Sequence, residues 1–415
     1  MSKEVKKMNL KKLAVLFSAT TFFCSGIFSA VSAEEATVET TEEITIIEED
    51  VLSEDSLWNY SLVKNNVTGE EYASLESYHG TENEVSIPSE IDGNIVCELG
   101  DYTFYENQAI NKICIPETIS YFGNFPFFAC SSLTEFEVDD NNENFSVKDG
   151  ILMDESEQVI VCFPPARTDT EFVIPDGVTE LASGAFATCS SLTSVTFPDT
   201  LESMGIYCFA ECTSLNNVVI PESVTELSQF NFTGCTSLTS ITLPDTMSII
   251  GDGAFFSCTS LNSIEFPAYI QEIGQCAFTS TGFTEVELPA TVQKIGYSAF
   301  GYTADQQGQI VAMDSFTVKG LTGSVAQSYC AENEHVTFES TDDSAADKAA
   351  EADKVSESSK EEPEVKKGII AAIAIVGVAV IVGVIVIIVK LKKSKSDTDE
   401  DSESENSDEE TENKE

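Results

Sequence analysis

A phrase of about 23 residues recurs through the middle of the chain, and it limits the folds that the chain can adopt. One phenylalanine marks each copy, with a spacing of 23 residues that shortens once to 22: Phe186, Phe209, Phe232, Phe255, Phe278 and Phe300. Two earlier copies are recognisable at Phe104 and Phe127. A period of about 20 to 29 residues is typical of solenoids, whose coils bury their apolar sides only against neighbouring coils. The repeat therefore predicts a stack of coils with its core inside the stack.

One copy shows how a coil is built. Residues 192–197 read Leu-Thr-Ser-Val-Thr-Phe. Because side chains of a strand alternate between its two faces, we expect Val195 to point inward and Ser194 and Thr196 to point to solvent. Pro198 ends the strand, since proline has no N–H group to donate to a ladder. Each copy is therefore expected to give one short strand.

Cysteines recur three residues after the phenylalanines, and we interpret them as buried thiols: Cys130, Cys189, Cys212, Cys235 and Cys258. Stacked coils lie about 4.8 Å apart, so these thiols would form one column. Free cysteine is among the most buried residue types, which fits that position. Histidine occurs only as His79 and His335, so a zinc array is not indicated. Whether any of the cysteines pair stays open.

The period breaks between residues 136 and 173, where we predict a β-hairpin insertion. Two apolar runs flank Asp149-Gly150, a typical hairpin turn, and a third run begins at Val159. The acidic and amide residues of 139–144 raise the alternative of a calcium loop. They depart from the EF-hand pattern, because Ile151 stands where the closing glutamate belongs.

Residues 174–192 resemble the repeat of the BspA-like leucine-rich repeat proteins of bacterial surfaces. In this segment Ile-Pro-Asp-Gly-Val leads to Gly-Ala-Phe and then to Cys-Ser-Ser-Leu. Residues 85–93 are similar to the opening strand pair of that family, and residues 323–333 to its closing helix. The resemblance covers roughly residues 58–340. It implies a role in adhesion or surface binding, and it offers no catalytic residues.

Together these features predict a mainly β fold. We expect a curved leucine-rich-repeat solenoid of about 23-residue coils with an N-terminal β-hairpin cap, a C-terminal capping helix and one C-terminal transmembrane helix. The N-terminal β cap is assigned to residues 57–98 and the solenoid to residues 99–322, with its β-hairpin insertion at 136–173. The C-terminal cap is assigned to residues 323–340.

The two ends of the chain indicate export and a membrane anchor. Residues 1–33 have the basic start, apolar stretch and small-residue cleavage site of a secretory signal peptide, and residues 34–56 form an acidic segment expected to be disordered. Residues 368–389 contain no charge and no proline, and 22 residues of helix are about 33 Å long, enough to span a bilayer. Lysines follow at once, which favours the cytoplasmic side. We expect a flexible acidic spacer at 341–367 and a basic-then-acidic cytoplasmic tail at 390–415.

Charge and motif content exclude other classes of function. The chain has 71 acidic against 21 basic residues and a net charge of −50, which repels phosphate backbones, so nucleic acid is not an expected partner. The sequence contains no dinucleotide-binding glycine motif, no P-loop and no H-E-x-x-H zinc motif. With two histidines, a nucleophile and its base are hard to assemble. We therefore expect no enzyme activity, no cofactor and no metal.

The outward strand positions form the candidate ligand-binding face: Ser194, Thr196, Asn217, Val219, Ser240, Thr242, Ser263, Glu265, Glu285 and Glu287. We predict a membrane-anchored, single-pass protein of the bacterial surface, adhesin-like or receptor-like, whose ectodomain recognises an extracellular protein or glycan through this face. Two alternatives stay open. One is a structural protein of the cell envelope without a foreign ligand, and the other is a surface hydrolase. The sequence indicates no particular oligomeric state.

Overall fold

A computed structural model describes residues 44–66 and 68–342. They form a mainly β solenoid of about 12 turns, with coils of about 23 residues and one short helix. The predicted signal peptide, the transmembrane segment, the cytoplasmic tail and nearly all of the spacer lie outside the described residues. Within the described ranges, no helix is long and apolar enough to cross a membrane.

Strands near the N-terminus form a sheet that mixes antiparallel and parallel pairs. A three-stranded antiparallel meander is joined in parallel by strands of the first coils. In spatial order the strands are β1 (Ile44–Leu52), β2 (Trp58–Asn65), β3 (Glu71–Tyr78), β6 (Asn94–Leu99) and β5 (Glu90–Ile91), with β8 (Tyr121–Phe122) beside β6.

Nearly every coil then contributes one short strand to a parallel sheet, and we call the exposed side of these strands the sheet face. The sheet consists of three blocks. The N-terminal block is β4 (Glu84–Ser86), β7 (Lys112–Ile115) and β9 (Glu135–Val138); the central block is β13 (Glu171–Val173), β15 (Ser194–Thr196), β17 (Asn217–Val219) and β19 (Ser240–Thr242); the C-terminal block is β22 (Glu285–Glu287), β26 (Phe316–Gly320) and β27 (Val336–Ser340).

A second row of shorter strands runs along another side of the coils. Its first group is β10 (Phe145–Lys148), β11 (Ile151–Asp154), β12 (Val159–Cys162), β14 (Glu180–Leu181) and β16 (Ser203–Met204); its second group is β18 (Glu226–Leu227), β20 (Ile249–Ile250), β21 (Glu272–Ile273) and β23 (Lys294–Ile295). The remaining elements are the hairpin β24 (Tyr302–Ala304) and β25 (Ile310–Ala312), and the helix α1 (Val325–Glu332).

The loop around each core phenylalanine also stacks through its backbone. The amides of Tyr207, Phe209 and Glu211 each donate to a carbonyl of the next coil, at 2.8–3.0 Å. Tyr207 and Glu211 have positive φ angles of 56° and 59°, a region that non-glycine residues seldom adopt. Positive φ recurs two residues before and two residues after most of the column phenylalanines. These turns therefore carry backbone strain that coil-to-coil hydrogen bonding must offset.

The phenylalanines form a continuous stack, as the repeat predicts. Ring centroids lie 4.9–5.7 Å apart and neighbouring rings are within 24° of parallel from Phe163 to Phe300. Phe163 stands 23 residues before Phe186, so a regular coil lies inside the segment that was assigned to the insertion. The assignment of 136–173 to an extra hairpin was too wide, because β12 pairs in parallel with β14 and belongs to that coil.

The prediction of a buried thiol column is confirmed. All five cysteines are buried and unpaired: Cys130, Cys189, Cys212, Cys235 and Cys258. Each thiol donates to the carbonyl oxygen of a phenylalanine 26 residues earlier, at 3.0–3.7 Å. Burial raises the pKa of the Cys212 thiol to about 12. The column therefore joins each coil to the one before it, while its thiols stay protonated at neutral pH.

The inserted hairpin is the antiparallel pair β10 and β11, and Asn142 fixes it to the preceding coil. The buried Asn142 amide donates to the carbonyls of Pro116 and Ile119 at 2.8 and 3.0 Å, and its oxygen accepts from two backbone amides of the insertion. Asp139 accepts from the backbone of Asn141 at 2.9 Å. These polar residues, which had raised the calcium alternative, thus satisfy backbone groups of a turn.

Residues 44–56 are ordered, which corrects the expectation of disorder over that part of 34–56. Strand β1 pairs antiparallel with β2, with Ile46 opposite Val63 and Leu52 opposite Asn59. Its side chains are largely exposed, so backbone hydrogen bonds hold the strand in place. Acidic composition indicated disorder because an acidic segment has little apolar surface to bury. An edge strand can nevertheless be ordered with little burial, because it pairs with its neighbour through backbone hydrogen bonds.

At the other end, helix α1 closes the phenylalanine stack. The Tyr329 hydroxyl donates to the carbonyl of Phe300 at 2.7 Å and accepts from the amide of the same residue at 3.0 Å. The backbone of Phe300 is thus satisfied by a side chain of the helix instead of by a further coil. The β24–β25 hairpin beside it was not predicted from the sequence.

The phenylalanine stack predicts a large stability loss for Phe232→Ala. This ring is fully buried between those of Phe209 and Phe255, so truncation leaves a cavity that the rigid stack cannot fill. We expect the free energy of unfolding to fall by about 3–5 kcal/mol in chemical denaturation. The matched control, Tyr297→Ala, removes a ring that is 61% exposed and should cost less than about 1 kcal/mol. Equal effects of the two substitutions would contradict the stacked core.

Candidate functional site: the sheet face

The central block presents two rows of side chains to solvent. Parallel register places Glu171 beside Ser194, Ser194 beside Asn217, and Asn217 beside Ser240. In the second row Val173 lies beside Thr196, and Val219 beside Thr242. The residues between the rows, Val195, Val218 and Ile241, are buried in the core. One row is therefore polar, and the other consists of β-branched side chains.

A hydrogen bond joins two side chains of the polar row. Ser240 Oγ donates to Asn217 Oδ1 at 2.6 Å. The β-branched row is open, since Val173 is 68% and Val219 63% exposed. Exposed valines on a sheet of hydroxyl and amide groups provide apolar contact surface within a hydrogen-bonding surface, a combination suited to binding.

The structure brings six of the ten predicted face residues together in the central block: Ser194, Thr196, Asn217, Val219, Ser240 and Thr242. Glu285 and Glu287 lie in the C-terminal block. Ser263 and Glu265 are exposed in the coil between the two blocks, where no strand forms. All ten side chains are exposed except Ser194, which is half-buried. Their role in ligand binding stays a prediction.

The ladder is interrupted where the repeat shortens. Phe278 and Phe300 are 22 residues apart, and the strand positions 262–266 just before them form no ladder. Phe266 lies half-buried and edge-on to both rings, with centroid distances of 5.7 and 6.3 Å. The second strand row continues past this point through β20, β21 and β23. This coil therefore pairs with its neighbours through the second strand row, while its face segment forms no strand pair.

Sequence reasoning missed the N-terminal block as part of the face. Lys112 on the middle strand lies in register between Glu84 and Glu135. Its ammonium forms ion pairs with Glu135 at 3.1 Å, Glu137 at 2.6 Å and Glu84 at 3.8 Å. Val173 was also missed, although it stands 23 residues before Thr196 and the repeat spacing alone would have found it.

The C-terminal block repeats this arrangement with residues that sequence reasoning did not place on the face. Lys319 on the middle strand lies in register between Glu287 and Glu339. Its ammonium is 2.8 Å from Glu285, and the nearby carboxylates raise the pKa of Lys319. At both ends of the face, one lysine on the middle strand is therefore ion-paired with at least one glutamate of a neighbouring strand.

Both histidines contact polar groups of neighbouring segments. His79 Nε2 lies 2.9 Å from Asn59 Oδ1 and 3.3 Å from Ser77 Oγ. His335 Nε2 contacts the carbonyl of Gly301 at 3.0 Å. Among residues 44–66 and 68–342, no group of three or more His, Cys, Asp or Glu residues could hold a metal ion.

Two carboxyl groups with raised pKa values lie outside the face, on the N-terminal sheet. Burial, followed by the charge of nearby Glu76, raises the pKa of Glu98 to about 7. Burial likewise raises the pKa of Glu76. Tyr72 Oη lies 3.4 Å from Glu98 Oε2 and stabilises the charged form, which opposes the shift. The two carboxyl groups and the tyrosine hydroxyl lie on adjacent strands, and we interpret the cluster as a determinant of stability.

Stacked coils of about 23 residues, each with one short parallel strand and inward leucine, valine and phenylalanine side chains, define a leucine-rich-repeat solenoid. The family described as BspA type Leucine rich repeat region matches the chain in six copies over residues 82–148 and 179–307. The gap between the two matched ranges begins at the turn of the inserted hairpin and contains its second strand. Through its repeat region, the chain belongs to the BspA-type leucine-rich repeat family.

Several solved bacterial structures are similar to the chain. A leucine-rich repeat protein from Eubacterium ventriosum is 22% identical, with a TM-score of 0.33; the match covers 48% of this chain and 64% of that one, less than two thirds of its length. One from Bacteroides ovatus is 22% identical, with coverage of 68% and 66% and a TM-score of 0.36. The pneumococcal vaccine antigen PcpA is 10% identical, with coverage of 70% and 99% and a TM-score of 0.37. No curated protein matches the chain.

The half-buried Glu98 predicts a stability that falls as the pH rises. Its pKa in the folded protein, about 7, lies above the ordinary value of 4.5, so its contribution is complete below about pH 4.5 and is lost as pH rises through about 7. Glu98→Gln keeps the protonated shape at every pH. We expect this variant to melt at a higher temperature than the unmodified protein at pH 8, with little difference at pH 5.

The control for this prediction is Glu90→Gln, which neutralises an exposed carboxylate on the same sheet. It should leave the difference in melting temperature between pH 5 and pH 8 unchanged. If Glu98→Gln and Glu90→Gln altered the pH dependence of the melting temperature equally, the partial burial of Glu98 would not be the cause of that dependence.

Proposed function

We propose that the chain is a membrane-anchored binding protein of the bacterial surface, adhesin-like or receptor-like, which recognises an extracellular protein or glycan through the sheet face. The observation that carries this proposal is the central block. Its exposed rows combine hydroxyl and amide groups with two largely exposed valines, on a rigid ladder of parallel strands. Such a surface can contact a partner at many positions at once without covalent chemistry.

The surface location is supported by sequence features at both ends of the chain. A signal peptide at residues 1–33 and a transmembrane helix at 368–389 would place the coils outside the cell. The spacer at 341–367 would hold them away from the membrane. The match to the BspA-type family supports this location, because BspA-like leucine-rich repeat proteins are typically proteins of the bacterial cell surface.

The test measures binding of the full chain, purified in detergent, to arrayed glycans and extracellular matrix proteins. Ser240→Lys combined with Thr242→Lys places two long cations on the central block and should weaken any interaction made there by about tenfold or more. The matched control, Thr225→Lys combined with Thr236→Lys, makes the same change in charge at two exposed threonines away from the face. Interactions that respond equally to both pairs, or to neither, would refute the face as the binding site.

A further inference from the structure

Every cationic side chain in the described part of the chain already has an acidic partner. The ion pairs are Lys64 with Glu71, Lys112 with Glu84, Glu135 and Glu137, Lys148 with Glu157, Arg167 with Asp169, Lys294 with Glu272, and Lys319 with Glu285. Acidic residues far outnumber basic ones in the whole chain, at 71 against 21. Carboxylates therefore set the potential of the surface that a partner approaches.

The two lysines of the face are less exposed than the glutamates with which they pair. The Lys112 side chain is 21% exposed, whereas the three glutamates around it are 60–63% exposed. Lys319 is likewise 25% exposed beside Glu285 at 61%. A molecule that approaches either end of the face therefore meets carboxylate oxygens first.

The C-terminal end of the face carries an excess of negative charge. We call Glu265, Glu285, Glu287 and Glu339 the C-terminal acidic patch. All four are exposed, and Lys319 is the cation that lies among them. Glu287 and Glu339 flank Lys319 in register, and the Lys319 ammonium forms its ion pair with Glu285, so the chain itself shows how a lysine side chain is held by a carboxylate of a neighbouring strand.

We propose that the partner of the sheet face is a basic polypeptide surface, with lysine or arginine side chains over the C-terminal acidic patch and apolar side chains over Val173 and Val219. This inference rests on the proposed function, because it names the partner of the same face. Sulfated and other anionic glycans are repelled by the exposed glutamates. A neutral glycan would cover these carboxylates without supplying a counter-charge, which costs free energy.

The probes for the test are three synthetic peptides of equal length, in which valine alternates with lysine, with glutamate or with serine. Binding to the full chain in detergent is measured at ionic strengths of about 0.1 M and about 1 M, where the Debye length falls from about 10 Å to about 3 Å. We expect the lysine peptide to bind most tightly at low salt and to lose most of its affinity at high salt. Tighter binding of the serine or glutamate peptide at low salt would overturn the proposal.

A pair of variants with equal charge changes separates the patch from the net charge of the chain. The patch variant combines Glu265→Gln, Glu285→Gln, Glu287→Gln and Glu339→Gln. The control neutralises four exposed acidic residues that each follow a proline and lie outside the patch: Asp176→Asn, Asp199→Asn, Glu222→Gln and Asp245→Asn. The patch variant should weaken binding of the lysine peptide by about tenfold, and the control by less than about twofold. Equal weakening would show that net charge alone attracts the peptide.

Variants of opposite sign keep the proposal testable if the patch variant folds poorly. Lys112→Gln with Lys319→Gln makes the face more acidic and should strengthen binding about threefold, whereas Lys64→Gln with Lys294→Gln, off the face, should not. The proposed function can survive a failure here. If Ser240→Lys with Thr242→Lys abolishes binding to an arrayed ligand that responds neither to salt nor to the patch variant, the face binds but its partner is not basic.

Discussion

Each coil of this protein can bury its apolar side only against the coils before and after it, and this constraint governs the rest of the structure. A phenylalanine ring in one coil stacks on the ring of the next at 4.9–5.7 Å from Phe163 to Phe300. A thiol from one coil donates to a backbone carbonyl of the coil before it. Both contacts require equivalent residues of successive coils to lie in register. The apolar side of each coil is therefore buried only if the repeat keeps its period of about 23 residues.

The same constraint explains where irregular features occur. The inserted hairpin leaves the stack between two coils, and Asn142 satisfies the backbone where it departs. The turns beside the phenylalanines hold residues such as Tyr207 at positive φ, because their amides must meet carbonyls of the neighbouring coil. The face strands need only an inward residue between two outward ones. Their outward positions are therefore free to vary, and these are the positions at which we expect a partner to bind.

Much of the fold could be predicted from the sequence because repetition exposes the inward positions. The phenylalanine and cysteine columns follow from spacing alone, and the outward rows follow from alternation. Phe163 was missed because the cysteine and leucine that accompany five of the other copies are replaced by Ala166 and Asp169. Strand β1 was missed because its order comes from pairing with β2, which composition does not show. Residues 262–266 form no face strand, and Phe266 packs there against the rings of Phe278 and Phe300, which are far from it in sequence. No local sequence pattern indicates this packing.

The most direct test of the stacked architecture is the rate at which each cysteine of the native protein reacts with an alkylating reagent, resolved by peptide mass spectrometry. Cys97 and Cys114 are half-buried at strand positions, whereas the five column thiols are fully enclosed. The structure predicts that Cys97 and Cys114 react first and that Cys130, Cys189, Cys212, Cys235 and Cys258 react only as the coils unfold. Alkylation of the five column thiols in the native protein as fast as Cys114 would contradict it.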